Sequence, residues 1–301
     1  MQPYILNSKC NRFFKLISII ICSRTPAISA SLKKNIEDTI GVEHELIVID
    51  NSGNRYSIFE AYNLGVSESK YPYLCFMHDD IAYHSKGWGK NILEHFTDEN
   101  VGAIGIAGTP YYPQMPGSWW AGGLVNETLM HNINGTLKST IKSVGGLTSG
   151  KNEVVVLDGV WLCIRKLIFN KIKFDERNFK GFHFYDMDIC MQVHQIGFKL
   201  YSISDVLIQH FYTGTVDSKW INNALAFQKK WKEELPVSVI KLSHQEQVNI
   251  EFKTLGEYIR ILQANHVSKT RAYLTAVVQI LGFYKGYPAI PAIIFKRLMA
   301  T

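Results

Sequence analysis

The tripeptide His78-Asp79-Asp80 follows directly on an apolar run, Leu74 to Met77, and a core would not accept three such polar groups unpaired. The run reads as a buried strand that delivers two adjacent carboxylates to its C-terminal end. In open α/β sheets that edge is where ligands bind, and paired hard oxygen donors suit Mg2+ or Mn2+ better than zinc. A second constellation, Phe182-His183-Phe184-Tyr185-Asp186-Met187-Asp188, opens a predicted helix. Acids there most often cap the helix, and spacing alone favours that role. Two acids beside bulky aromatics can instead raise the pKa of one carboxyl and make it a general base. His210 ends another apolar run, where a lone histidine is more often a hydrogen-bonded structural residue than a metal ligand.

The elements that must position these groups alternate strand and helix. Residues 14–22 and 45–50 are β-branched, apolar runs that predict strands; 28–39 and 57–68 predict helices, and a third strand starts at Tyr73. Short links between them are the mark of a parallel sheet with right-handed crossovers. All three strands then end on one edge, so Ser23-Arg24, Asp50-Asn51-Ser52 and His78-Asp79-Asp80 converge. For any one acid a turn or cap is the commoner role; three polar strand ends on one edge favour a site.

Further along, the pattern predicts a helix over 87–96, a strand over 101–107, one strand over 153–165, a helix over 186–196, a strand over 199–209 and a helix over 218–231. Between Thr109 and Lys151 it dissolves into Gly, Pro, Asn and aromatics, including Trp119-Trp120, which predicts a binding loop or lid. Pro236 marks the boundary between a main domain, 1–235, and a helical C-terminal appendage, 236–301. In the appendage Thr254-x-x-Glu257 reads as a capping box opening a helix to Asn265. A second helix, 269–284, carries Leu274, Val277, Val278 and Leu281 on one face, and Pro288 and Pro291 then break the pattern, so it predicts no membrane span.

With 301 residues, 47% of them apolar, the chain can bury a full core. Five scattered cysteines have no paired spacing for a zinc cage or a disulfide framework, which predicts free thiols in a reducing compartment. The net charge of +6 is uneven, because eight Lys or Arg against three Glu from Val237 onward leave +5 in the tail. Such a tail suits an anionic membrane surface, with a solvated helix face as the plainer alternative.

The succession IIICSR, LIVIDNS, a helix holding AYNLG, YLCFMHDDI, VVLDGVWLCIR and GFHFYDMDICMQVHQIGFKLYSISDVLIQH resembles, in order over residues 14–215, the nucleotide-sugar-binding domain of family-2-like glycosyltransferases of GT-A fold. The resemblance implies an α/β fold with a Rossmann-like, mostly parallel sheet flanked by helices. It implies a nucleotide-sugar donor, UDP-linked, contacted by Ser23, Arg24, Asp50, Asn51, Asn63, His78, Asp79 and Asp158. Asp80 and His210 would hold a divalent cation, Mn2+ or Mg2+, and Asp186 would be the catalytic base, with Asp188 as the alternative. Trp119, Trp120 and Trp161 are candidate sugar platforms, although Trp161 suits a core equally well. Three departures stand out: His78 replaces the first acid of the strand-end motif, Tyr185 replaces the Glu before the base, and Tyr62 stands where relatives often carry Arg.

The implied chemistry is an inverting displacement. The cation neutralises the diphosphate leaving group, and Asp186 takes the proton of an attacking acceptor hydroxyl. The acceptor would be a glycan or a lipid-linked glycan in surface polysaccharide synthesis, with no nucleic-acid partner. The protein would be cytoplasmic, its tail touching the membrane, packing on the main domain or making a homodimer contact. Two other functions compete: a nucleotidyltransferase, for which there is no Gly-rich phosphate loop, and a non-catalytic nucleotide- or glycan-binding module.

Overall fold

The computed structural model describes residues 16–133, 136–142, 150–211 and 216–265, with 268, 271–272, 274–276 and 278. From residue 17 the chain alternates as its pattern predicts, β1 (Ile17–Ser23), α1 (Ala30–Thr39), β2 (His44–Asp50), α2 (Ile58–Glu68) and β3 (Tyr73–Met77), the first residues of the strand predicted over 14–22 lying outside the described ones; β4 (Ile81–Tyr83), which the pattern did not predict, comes before the expected α3 (Trp88–His95) and β5 (Val101–Gly105). Short strands follow, β6 (Ala107–Thr109), β7 (Tyr111–Tyr112), β8 (Asn126–Ile133), β9 (Thr136–Lys142), β10 (Lys151–Val154), β11 (Val156–Leu157) and β12 (Trp161–Arg165). The remainder is α4 (Tyr185–Gln195), β13 (Lys199–Ile203), β14 (Ile208–His210), α5 (Ser218–Lys230), β15 (Val237–Ser238) and α6 (His244–Ala264).

The central sheet has the order β10-β13-β5-β12-β3-β1-β2. Strands β1, β2 and β3 run parallel, as do β5 and β13, while β12 and β10 run against their neighbours. This is the α/β layout with a mostly parallel sheet that the pattern predicts. In β1, Ile17, Ile19, Ile20 and Ile21 are all fully buried, because side chains on both faces are covered. Each such isoleucine contributes about 1.5–3 kcal/mol on transfer out of water. Helix α2 lies so close to β1 that a Cβ on Gly65 would stand 2.3 Å from Ile20 Cγ2. Helix starts are locally encoded: Ser29 caps α1, and Ser57 with Glu60 forms a capping box on α2.

Several expectations are corrected. The strand predicted over 153–165 is three strands, since the Asp158-Gly159 step turns the chain between β11 and β12. The run 199–209 is likewise split, β13 staying in the central sheet and β14 crossing into a second sheet of order β11-β6-β8-β14-β4. That second sheet uses residues expected to be an irregular lid: β8 and β9 pair as a long antiparallel hairpin, in which Asn126, His131 and Asn132 obscure the alternation of β8. In the appendage, the cap of α6 is the Ser243 and Glu246 box, about three helix turns before Thr254, which is buried mid-helix with its hydroxyl on Ile250 O. The helix predicted over 269–284 falls largely outside the described residues. Among the described residues no helix is long and apolar enough to cross a membrane.

Candidate active site

Parallel pairing brings the polar strand ends together. Ser23 is in register with Asp50, and Asn51 N–H donates to Ser23 O at 2.8 Å. Ser23 Oγ donates to Asp79 Oδ2 at 2.8 Å, tying the end of β1 to the loop after β3. Above this edge is a cavity of about 520 Å³, within the range of small-ligand sites. Its lining includes Arg24, Asn51, Asp79 and Lys219, and Trp119, Trp120, Asp158 and Asp186.

Asp80, His78 and His210 also line it. His210 arrives because β14 pairs with β4, with His210 opposite Ile81 and Phe211 N–H on Asp80 O. Asp80 Oδ1 lies 3.3 Å from His210 Nε2 and 3.7 Å from His78 Nδ1, and the two ring nitrogens are 3.5 Å apart. That oxygen is shut off from water and accepts no well-formed hydrogen bond. Burial would raise the Asp80 carboxyl, yet the facing His210 and His78 rings hold it below its ordinary value. Two imidazoles and a carboxylate, with donor atoms all within 4.8 Å of one another, fit a divalent cation. The orphaned oxygen is the particular sign of fit, because a buried acceptor without a partner is costly.

Asp186, in the first turn of α4, lines the same cavity. Its Oδ2 accepts from Gly159 N–H and its Oδ1 from Met187 N–H, both at 2.9 Å. Despite these two bonds, burial and the neighbouring Asp158 charge push its carboxyl up to about 7. Asp158 is itself held by Trp119 Nε1–H at 2.6 Å and Val160 N–H at 2.8 Å. The helix starts after Phe184, whose φ of 70° is sparsely populated for a bulky side chain; its ring, packed on Trp220 and Phe227, holds it there. A carboxyl pushed up to about 7, facing a cavity that also holds three groups whose donors fit a cation, can accept a proton from a bound hydroxyl.

Residues 18–236 match the glycosyltransferase-like family. The chain belongs to this family. Every residue of the two clusters lies inside the matched stretch, and α6 lies beyond it. The chain is similar to a protein of the ATP synthase subunits region, ORF 6, of Fuscovulum blasticum, 22% identical over 205 residues, covering 65% of this chain and 74% of the relative. It is also similar to the streptomycin biosynthesis protein StrF of Streptomyces griseus, 24% identical over 204 residues, covering 65% of this chain and 68% of the relative. Among solved structures it is similar to GalNAc-T7 with UDP, GalNAc and Mn2+, at 12% identity and a TM-score of 0.49, covering 72% of this chain and 49% of that one. The mannosyltransferase PcManGT from Pyrobaculum calidifontis, in complex with GDP-Man and Mn2+, gives 10% identity and a TM-score of 0.48, covering 95% of this chain and 81% of that one.

In this glycosyltransferase the candidates drawn from the sequence divide. Arg24, Asn51, His78, Asp79, Asp80, Asp158, Asp186, His210, Trp119 and Trp120 line the cavity. Asn51 does so with its amide engaged, clamping Tyr56 N and O in the loop after β2. Ser23 acts on the site through Asp79. Asp50 does not line the cavity; its carboxylate accepts from Ser52 N–H and lies 3.7 Å from Arg55. Three further candidates do not line the cavity. Trp161, in β12 of the central sheet, is fully buried with its Nε1–H on Tyr83 Oη. Asn63 is bonded to Phe174 N and O and to Glu176. Asp188, the alternative base, is fully buried and held by Lys230, Trp231 and Gln192.

Sequence reasoning missed the company these groups keep. Phe182, half exposed, has its ring 5.4 Å from that of His78. The loop bearing Trp119 and Trp120 is gripped by α6 from outside the matched stretch. Glu251, fully buried, accepts from Gln114 N–H and Met115 N–H, both at 2.9 Å, and Ser118 Oγ donates to Glu257 at 3.3 Å. Gly117 and Gly122 permit this approach, since a Cβ on them would stand 2.3 Å from Thr254 and 2.7 Å from Ile250. The apolar positions of α6 signalled a helix face, but not its partner.

Proposed function

We propose that this glycosyltransferase moves a sugar from a UDP-linked donor to a hydroxyl of a glycan or lipid-linked glycan, with inversion, in surface polysaccharide synthesis. The observation that carries this reading is the pair of carboxylates on one cavity, Asp80 facing two imidazoles and Asp186 pushed up to about 7. Asp80 and His210, joined by His78, would hold the cation, for which the two-nitrogen, one-carboxylate set favours Mn2+ over Mg2+. When bound, the cation supplies positive charge for the diphosphate leaving group.

The chain's own residues do the rest. Arg24 and Lys219 bring cationic side chains to the donor side, and Asp79 is oriented there by Ser23. Asp186 accepts the proton of the acceptor hydroxyl as that oxygen attacks the anomeric carbon from the face opposite the leaving group. Asp158 provides the neighbouring negative charge that Tyr185, standing in place of an acid, does not. Trp120, with 46% of its surface exposed at the cavity, offers a flat apolar face to a pyranose ring. Cys22, Cys75, Cys163 and Cys190 are free thiols, which suits a reducing compartment, and we assign the reaction to the cytoplasm.

The test is a pair of variants. Asp80→Ala and Asp186→Asn each abolish transfer, and Asp80→Ala also weakens Mn2+-dependent UDP binding; intact transfer by both sinks the proposal. A thermal-shift screen of nucleotide sugars with and without Mn2+ identifies the donor, because a ligand of the native state raises its stability.

A further inference from the structure

Two of the departures from the family pattern, His78 and Tyr185, are 107 residues apart in sequence and touch in space: His78 Nε2 lies 3.0 Å from Tyr185 Oη. A phenol has one proton to give. Tyr185 Oη donates it to Gly159 O at 3.0 Å, so towards His78 it is an acceptor. The ring proton of a neutral His78 is therefore on Nε2, and Nδ1 carries the lone pair. That lone pair faces His210 Nε2 at 3.5 Å and Asp80 Oδ1 at 3.7 Å. Asp80 Oδ1 is buried without a well-formed hydrogen bond, its nearer imidazole being His210 at 3.3 Å. A cation placed between that lone pair and the carboxylate oxygen is attracted to both.

The phenol is held in place for this. Tyr185 is 3% exposed, and its ring lies edge-on to Phe59 and Tyr62. Its Oη occupies room that exists only because residue 159 is glycine: a Cβ there would stand 2.2 Å from it. Metal-bound histidines are oriented in this way, the remote ring N–H given to a fixed acceptor.

We propose that Tyr185 is a positioning residue for the metal site, fixing the tautomer of His78 so that His78 Nδ1 joins Asp80 and His210 as a third ligand. The two departures are then one change made in two places: an acid lost from the strand end is replaced by an imidazole, and the acid lost before Asp186 by the phenol that orients it. This rests on the metal-dependent reading of the cavity and gives His78 a role in holding the cation, where the resemblance had it contacting the donor.

The experiment measures Mn2+ affinity of the full chain by calorimetry or by the spin-resonance signal of free Mn2+. The proteins are wild type, Tyr185→Phe, His78→Ala, Asp80→Ala and the Tyr185→Phe, His78→Ala double variant. Tyr185→Phe keeps the ring and its packing and removes the hydroxyl, both the acceptor facing His78 and the donor to Gly159 O. It is expected to weaken Mn2+ binding by about 10- to 100-fold, and to cause no further loss once His78 is alanine. Nitrogen-15 NMR of the metal-free protein should show His78 protonated at Nε2 in wild type and a tautomer mixture in Tyr185→Phe. Unchanged affinity in Tyr185→Phe, or the same loss with and without His78, overturns the proposal; if Asp80→Ala still abolishes binding in that case, the metal site stands without Tyr185. Absence of Mn2+ binding in wild type overturns it together with the metal-dependent reading. A wild type that binds Mn2+ with the expected coupling but transfers no sugar overturns the proposed activity and leaves the positioning role supported.

Discussion

Asp80 and Asp186 face one cavity, each within a few residues of aromatic side chains and a second acid, yet their surroundings drive them apart. Burial acts on both in the same direction, toward the neutral acid. At Asp80 it is outweighed by two imidazoles that reach it from the end of β3 and from β14. At Asp186 the added neighbour is Asp158, a like charge, and two backbone N–H groups do not offset it. The difference teaches that a carboxylate's role here is set by the partner a distant strand delivers. One carboxyl is held as an anion beside two imidazoles and the other is pushed up to about 7, which is what the proposed roles of cation ligand and base require.

The most severe way to break this comparison is to neutralise each acid in turn. Asp186→Asn is expected to lower the transfer rate by about 10²- to 10⁴-fold while leaving Mn2+ affinity unchanged. The same variant should be more stable than wild type at pH 8. The folded pKa of Asp186 is raised, so the carboxyl favours folding only while protonated, and its cost to the fold grows as pH rises from the ordinary carboxylate range to about 7. The gain in Tm should therefore be larger at pH 8 than at pH 5; equal gains at both would deny the shift. Asp80→Asn is the mirror case, with Mn2+ binding lost and the ionisation of Asp186 unmoved.

Asp158→Asn sharpens the contrast at one of the two carboxyls. The asparagine oxygen still accepts from Trp119 Nε1–H, but the negative charge beside Asp186 is gone. A base works deprotonated, so wild-type activity rises with pH through about 7, and this limb should move to lower pH in the variant. A pH–rate profile that does not move would mean that Asp158 does not tune Asp186.

A smaller effect is expected from farther away. Glu251→Gln sets an amide N–H2 against one of the backbone N–H donors at Gln114 and Met115. Loosening of the Trp119 loop should raise the acceptor KM several-fold, with nucleotide and Mn2+ binding unaltered; hydrogen exchange of residues 113–123 reads the loosening directly. The mildest change is Asp50→Asn. Asp50 is turned toward Ser52 and Arg55, so UDP affinity should stay within about twofold, whereas a large loss would return it to the donor contacts.

Much of the scaffold was legible because it is written locally. Apolar runs of five to seven residues and Ser caps mark β1 to β3 and the helices between them, and parallel pairing then follows from short links. The β8 and β9 hairpin was not legible, since Asn and His interrupt the alternation of β8, and neither was the true start of α6, where two Ser/Thr-x-x-Glu patterns compete and burial of Thr254 decides between them. Trp161 and Trp119 are the same residue type in similar company, and only the docking of β12 between β3 and β5 buries the first while leaving the second at the cavity.

Residue type and spacing alone led to polar strand ends on one edge, because a strand's direction is a property of nearby residues; Asp80, His210 and Asp186 were singled out only by the family resemblance. Spacing could not choose between Asp186 and Asp188. Two positions apart on a helix, the two side chains point about 200° apart, so one must face away from whatever the other meets. Docking of α4 turns Asp186 to the cavity and Asp188 into the grip of Lys230 and Trp231. The same holds for the meetings of His78 with Tyr185 and of Asp186 with Asp158: each partner is supplied by chain far away in sequence, and only the packed sheet brings it within reach.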